Sequence, residues 1–563
     1  MKLNSILKSK PLYVFLIIAA IYVITFFIMP AKGFWICDNG CKFIQMKSLI
    51  VSDFKNLAIK IPSEEVISSL KYAPTVSPFF SQIGDKVYGV FSNLFIALSS
   101  IFFLLFGFRG LYIIPLLSAF LMLPAIWRIA GLIHSAKEVR ILSVFCISLC
   151  TPLWFYSLTF WEHVPSACLA IWSVYFFLKF IIEKTQINIL LCAIFCGLSV
   201  YFRDDLVILP VVFTIVLLIA SPKLWRQIIC LNIAVGIVLS PLWIFQWIVF
   251  GNPMGCHVTS VSIFSSSISG YAMEKLEVFR HLLLKSNKNL ILSIIGNLPF
   301  AILFFIYPRI SQKRLASFFV MTGIFALING FILISGYFIA DAKFMLVGFT
   351  NGLFGAAPFV IFSLFRIKKE TVENPEDKIS RIIWLLMIIY AVLYIIFSPL
   401  THSKGLNWGC RFLLILYPLM GILAVSNLFV WFKSNNLKKW MIPIPCCVIV
   451  MSFLLQIYSC FLLYEKKSII SKLIFEIAAR PENVIVSNVF FTALDLAPIF
   501  YDKKIFLCKS DDLNNLYGVL RNHTIKRILL VANPDRKFYY DGDYSIFDGK
   551  YIGLDIMVKQ IRL

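Results

Sequence analysis

Apolar runs of about twenty residues recur along most of this chain, most of them long enough as a helix to cross roughly 30 Å of hydrocarbon. They lie at 11–30, 89–107, 111–131, 139–157, 164–182, 187–202, 205–221, 227–250, 290–306, 315–338, 344–365, 382–400, 411–432 and 440–463. No soluble core absorbs that much apolar helix, so the chain reads as an α-helical polytopic membrane protein. Composition agrees: of 563 residues, 60% are hydrophobic and only 14% charged, with a mean hydropathy of +0.86. The net charge of +23 does not point to nucleic acid. Its Lys and Arg residues sit in short clusters between apolar runs, where lipid headgroups and insertion topology account for them. The 14 cysteines form no paired CxxC knuckles, and Cys192, Cys196 and Cys230 lie inside apolar runs as small hydrophobes.

The connecting segments are of two kinds. HSAKEVR at 134–140, IIEKTQ at 181–186, SPKLWR at 221–226, PRISQKR at 308–314, the basic stretch at 366–381 and FKSNNLKK at 432–439 are mainly cationic, which marks a cytoplasmic face. FWEHVP at 160–165, FRDD at 202–205, the segment from Gly251, IADAK at 339–343 and THSKGLNWGCR at 401–411 mix acids, histidines, aromatics and prolines. These share the opposite, outer face.

Lys2, Lys8 and Lys10 place the N-terminus in the cytoplasm and Asp38 outside. An odd number of crossings then separates Asp38 from the basic loop at 134–140, yet two apolar segments intervene. The first, 89–107, follows a polar stretch with Pro74, Pro78 and Gly84 and ends at Gly107 and Arg109. It is expected to lie along or dip into the outer interface. The expectation is thirteen transmembrane helices with an outer juxtamembrane helix region, and a C-terminus outside.

After Tyr464, ENVIVSN, KKIFLCKS and KRILLVANP alternate with two amphipathic stretches. That pattern predicts a small C-terminal α/β domain with a parallel sheet. The division is therefore a membrane module over 1–464, with a first outer loop at 31–110, and a domain over 465–563. No glycine-rich phosphate loop follows these strands, so nothing supports a nucleotide site there.

Ionisable groups near hydrocarbon are costly and tend to be kept for function, and four constellations stand out. In WICDNGCKF, Asp38 reads either as the acid of a helix start or as a general base, with Gly40 permitting close backbone approach. In FWEHVP, Glu162 and His163 read as a proton-transfer or phosphate-binding pair, or as the polar tip of an aromatic belt; two ligands fall short of a metal site. In YFRDD, Arg203 suits phosphate oxygens, or pairs structurally with Asp204 or Asp205. In HSKGLNWGCR, Lys404 and Arg411 are fit to neutralise a phosphate leaving group beside His402 and Asn407, while Gly405 and Gly409 admit backbone to it.

The order of DNGCKFIQMKSL, KVYGVFSNLF, LLFGFRGLYIIPLL, FWEHVP, YFRDD, GNPMGCH and LNWGCRFLLILYPL resembles that of GT-C-type integral membrane glycosyltransferases over roughly residues 12–465. That group includes protein O-mannosyltransferases and bacterial aminoarabinose and lipopolysaccharide-core sugar transferases; the motif order is most like bacterial glycosyltransferases of the kind found in spirochaetes. The resemblance implies a GT-C-like fold and a polyprenyl-phosphate-linked sugar donor used at the outer face of the bacterial cytoplasmic membrane with inversion. The acceptor would be a glycolipid such as lipopolysaccharide, a polysaccharide or a protein. Asp38 would be the base, with Lys42, Glu162, His163, Arg203, Asp204, His402, Lys404, Asn407 and Arg411 on the donor phosphate or substrate. Many relatives carry two adjacent acids where Asn39 follows Asp38, which argues against an acid-bound metal. No cofactor is required; a divalent cation stays open, as does a disulfide between Cys37 and Cys41. Two other readings compete: a transporter or flippase of lipid-linked saccharides, and a catalytically inactive assembly factor. The polar groups gather on one face rather than deep in the spans, which favours chemistry at the interface.

Overall fold

The computed structural model describes residues 10–66, 70–260, 268–284, 290–306, 309–310, 314, 317–328, 352–367, 375–399, 407–433, 441–532, 545–546 and 557–562. Among them, six helical stretches are long and apolar enough to cross a membrane: Asn93–Ile133, His163–Glu183, Pro222–Phe250, Glu376–Phe397, Leu416–Lys433 and Pro443–Ala479. Four shorter apolar helices accompany them. His163–Glu183 is buried along most of its length, whereas Trp225–Phe250 turns Ile233, Ile237, Ile244, Trp247 and Ile248 outward. An outer surface of this kind is stable only against lipid tails.

The Asn93–Ile133 stretch is broken. Its first part, Asn93–Phe106, has 14 residues and a rise of about 21 Å, short of the roughly 30 Å hydrocarbon layer. Gly107, at φ +59°, ends it. At Gly110 a methyl group would fall 2.0 Å from the Phe102 carbonyl oxygen, so the chain folds back closely on the helix it has left. Arg109, in this turn, donates to the carbonyls of Phe26 at 2.7 Å, Phe27 at 3.0 Å and Met29 at 3.3 Å. A cation thus closes the negative end of the Lys10–Ile28 helix.

The apolar run at 344–365, expected as a span, behaves differently in its described part. Residues 352–367 contain a 3-10 helix, Pro358–Leu364, buried throughout. Gly352, at φ +104°, and Pro358 prevent a regular helix there. Irregular backbone survives at such a depth only if protein satisfies it. Gln456 Nε2 donates to Ala356 O at 2.6 Å, Ser452 Oγ accepts from the Phe359 amide at 3.1 Å, and Asn427 Nδ2 donates to the carbonyls of Phe362 and Phe365.

The C-terminal α/β domain is present. Strand Val484–Ser487 lies between Lys504–Leu507 and Arg527–Ala532, parallel to both. Met557–Arg562 then adds antiparallel to Arg527–Ala532 and pairs with Ser545–Ile546, completing a five-stranded sheet. The antiparallel edge was not anticipated, because its short strands carry weak alternation. The expected boundary at 465 falls inside one continuous helix, Pro443–Ala479.

The segment between the Lys10–Ile28 and Asn93–Phe106 helices binds this domain. It forms the helix Cys37–Val51 and an antiparallel hairpin of Phe80–Ile83 with Lys86–Gly89. Tyr72 enters the core built by Val484, Val486, Phe506 and Leu516. Lys71 with Asp512 at 2.7 Å and Lys504 with Glu65 at 3.1 Å add surface pairs.

Candidate functional site

The Cys37–Val51 helix begins where Ile36, in an extended conformation, serves as N-cap without a side-chain bond. Asn39 completes the start: its Oδ1 accepts from the Ile36 amide at 3.3 Å, and its Nδ2 donates to Phe160 O at 2.7 Å. One side chain therefore fixes the helix entry and ties it to the segment carrying Glu162 and His163. Asp38 stands in the first turn, where the helix dipole favours an acid, but it does not cap. It is only 9% exposed, and its Oδ2 lies 3.1 Å from Arg411 Nη1.

Gly40 has the close backbone approach its type allows, but to a different partner from the one expected. A methyl there would fall 1.9 Å from the carbonyl oxygen of Leu494, in the Phe490–Asp495 helix of the C-terminal domain. Gly409, at φ +61°, is likewise packed, against the Tyr417 hydroxyl, Pro152 and Ala356 rather than open to a ligand.

One turn after Asp38, Lys42 is 1% exposed, with Nζ 3.0 Å from Glu162 Oε2 and 4.1 Å from the centre of the Phe91 ring. Burial pushes its pKa below the ordinary lysine range, and the charges of Glu162 and Asp38 resist that shift. On the other side of Glu162, Arg203 Nη1 approaches Oε1 at 3.7 Å and His163 Nε2 at 2.6 Å. Glu162 and His163 thus face Lys42 and Arg203, and no group of three metal-ligating side chains occurs among the described residues.

Arg203 makes its forked pair with Asp205, at 2.9 Å from Nε and 2.6 Å from Nη2. Tyr394 donates to the same carboxylate at 2.9 Å. Asp204 turns the other way, its Oδ2 2.8 Å from His257 Nδ1. Arg203 thus makes the structural ion pair that the sequence offered as one alternative, with Asp205 as the partner.

These groups converge on a cavity of about 470 Å³, a size usual for small-molecule sites. Asp38, Lys42, Glu162, His163, Arg203, Asp204, His257 and Arg411 line it, and Pro78, Phe79, Phe250 and Phe490 add apolar wall. The rings of Phe79 and Phe490 stack at 6.2 Å, so the C-terminal domain supplies part of the enclosure. Arg411 lies 4.8 Å from the Trp161 ring and 4.6 Å from that of Phe412, and its buried Nε has no protein acceptor. Asn407 is buried without lining the cavity. His402 and Lys404 lie outside the described residues.

Behind Asp38 sits a second cluster that no sequence signal marked. Lys466 donates to the Trp35 carbonyl, and Asp495, at the end of the C-terminal domain's short helix, is fully buried. Burial raises the Asp495 pKa to about 7; Lys466 opposes the shift and Asp38 adds to it. Cys37 and Cys41 are buried free thiols, not a disulfide; burial pushes both pKa values up, with Asp38 next for Cys37 and the Cys37 thiol and then Asp38 for Cys41. His257 carried a faint signal, a histidine in a polar segment, and Asp205 was named only as a possible partner of Arg203, whereas nothing in the sequence marked Tyr394.

No protein-family profile matches the chain, and no curated protein matches it in sequence. Solved structures do. ArnT from Cupriavidus metallidurans bound to undecaprenyl phosphate superposes with a TM-score of 0.51 at 12% identity, over 98% of this chain and 98% of that one. The chain has that GT-C fold. The apo state of ArnT gives a TM-score of 0.47 at 12% identity, over 96% of this chain and 97% of that one. The GT-C likeness extends over the C-terminal residues too, beyond the 12–465 covered by the motif resemblance.

Proposed function

We propose that this protein transfers a sugar from a polyprenyl-phosphate-linked donor to a glycan, lipid or protein acceptor at the outer face of the bacterial cytoplasmic membrane. The observation that carries the reading is the meeting of Asp38 with Lys42, Glu162 and Arg411 in one buried cavity, within a fold shared with a lipid A aminoarabinose transferase crystallised with undecaprenyl phosphate. The N-terminus is then cytoplasmic and the C-terminal domain extracytoplasmic.

In this reading the acceptor oxygen attacks the anomeric carbon from the face opposite the donor phosphate. Its proton passes to Asp38, and the carbon–oxygen bond to phosphate breaks with the electron pair leaving on phosphate. Such a leaving group needs positive charge rather than a proton. Arg411 suits that role, since its Nη1 holds Asp38 while its buried Nε has no protein acceptor. Lys42 and Arg203, joined through Glu162, add charge along the same wall. A base positioned this way typically contributes 10²- to 10⁴-fold.

The test is transfer in membranes supplied with a polyprenyl-phosphate sugar, comparing the wild type with Asp38→Asn at equal folded amounts. Loss of transfer supports the base assignment. Undiminished transfer removes Asp38 from the mechanism, and movement of the lipid-linked sugar across the membrane without transfer favours a carrier.

A further inference from the structure

The cavity has a charge problem for an anion-binding site. Among the described residues lining it, the acids Asp38, Glu162 and Asp204 are balanced by Lys42, Arg203 and Arg411. Asp205, just behind the wall, takes two of Arg203's nitrogens as well. Among the described residues, the permanent charges lining the cavity therefore sum to no net surplus for a phosphate. Two histidines also line the cavity. His163 receives Arg203 Nη1 at 2.6 Å from its Nε2, so it acts as a neutral acceptor there. His257 instead faces a carboxylate, with Nδ1 2.8 Å from Asp204 Oδ2.

The short turn carrying His257 is held firmly. Gly255, at φ +78°, sits where a methyl group would fall 2.9 Å from the Gln246 side chain, and the Cys256 thiol lies 3.5 Å from the Gly89 carbonyl. These neighbours pack against the backbone just before His257. With Asp204 holding the Nδ1 proton, the other ring nitrogen carries a hydrogen only in the imidazolium form.

We propose that His257, paired with Asp204, is the proton-controlled cation of this cavity, binding the phosphate of the lipid-linked donor so that donor affinity falls when the imidazole loses its proton. The inference rests on the transfer reading above and adds a residue and a pH dependence to it. Burial alone would lower the histidine's pKa; the Asp204 carboxylate more than reverses this, Asp205 acts in the same sense and Arg203 against it. The net shift is upward from the ordinary value of 6.5. Of the elements packed on this turn, Phe80–Ile83 has no ionisable side chain, Trp225–Phe250 has none after Cys230, and the strand whose Gly89 meets Cys256 carries Lys86 and Tyr88, neither of them lining the cavity. Because the value is raised, the charged form persists to higher pH than in an unperturbed imidazole. Donor affinity is accordingly high below that value and falls as pH rises through it.

The experiment measures binding of a short-chain polyprenyl phosphate methyl ester to the full-length protein in nanodiscs of neutral lipid, from pH 6 to 9. This diester carries one fixed negative charge, so the probe does not titrate. The wild type is expected to lose about tenfold or more in affinity across the range, the scale of a charge-assisted hydrogen bond. His257→Gln should bind weakly at every pH, and His257→Lys tightly without the step. Thermal unfolding of each variant, compared with the wild type, identifies any loss due to misfolding. A folded His257→Gln that keeps the wild-type affinity at pH 6, or keeps the same step, overturns the inference and leaves the transfer reading intact. A wild type that binds no diester at any pH overturns the transfer reading itself.

Discussion

Arg411 and Asp38 stand 373 residues apart in sequence and 3.1 Å apart in the fold, both largely buried. The contact joins the first turn of the Cys37–Val51 helix to the short 3-10 helix Arg411–Leu413. A buried pair of this kind contributes little net stability when whole but is costly to break on one side. Arg411→Gln should therefore lower stability by about 3 kcal/mol, whereas Asp38→Asn with Arg411→Gln should recover much of it without recovering transfer. Denaturation midpoints of the two single variants and the double variant, set beside transfer rates, check this.

Gly40 connects the Cys37–Val51 helix to the C-terminal domain through backbone contact with Leu494. Gly40→Ala has no room for its methyl group and must separate the two elements. A loss of about 1–3 kcal/mol is expected, together with a drop in transfer, because Asp38 moves with the helix. Gly518→Ala, at a position with open space around it, is the control and should leave both unchanged.

Asp495 predicts a pH-dependent stability. Its pKa of about 7 in the fold lies above the 3.8 of an ordinary aspartate, so between those values the native state holds a proton that the unfolded chain releases. Stability should thus decrease as pH rises from 4 to 7, by up to about 1.4 kcal/mol per unit from this group. Asp495→Asn removes that slope and should become the more stable protein at pH 8, as a thermal-shift series from pH 5 to 8 would show.

Asn427 satisfies the carbonyls of Phe362 and Phe365 inside the bundle. Asn427→Leu leaves both without that donor and should cost about 2–6 kcal/mol, at roughly 1–3 for each buried acceptor. Transfer by the protein that remains folded should be little affected, since Asn427 does not line the cavity.

Chelation gives a further prediction. Glu162 and His163, the acid and imidazole that sequence alone left open to a divalent cation, face Lys42 and Arg203. Washing membranes with EDTA should therefore leave sugar transfer undiminished, and added magnesium or manganese should not raise it.

The sequence by itself determined the fold class and the groups worth watching. Apolar runs of membrane length, the β-branched strands after Tyr464 and the polar clusters around Asp38, Glu162, Arg203 and Arg411 are local patterns, and local patterns are what hydropathy and residue type report. Partnership is not local. Nothing near Arg203 in sequence says that Asp205 rather than Asp204 takes its fork, or that His257 claims Asp204. Nothing in DNGCKF says that its glycine is reserved for Leu494 or that Asp495 is buried behind it. Tertiary structure decided these, because burial makes an unpaired charge too costly to leave and so selects partners from whatever distant segments the packing brings together.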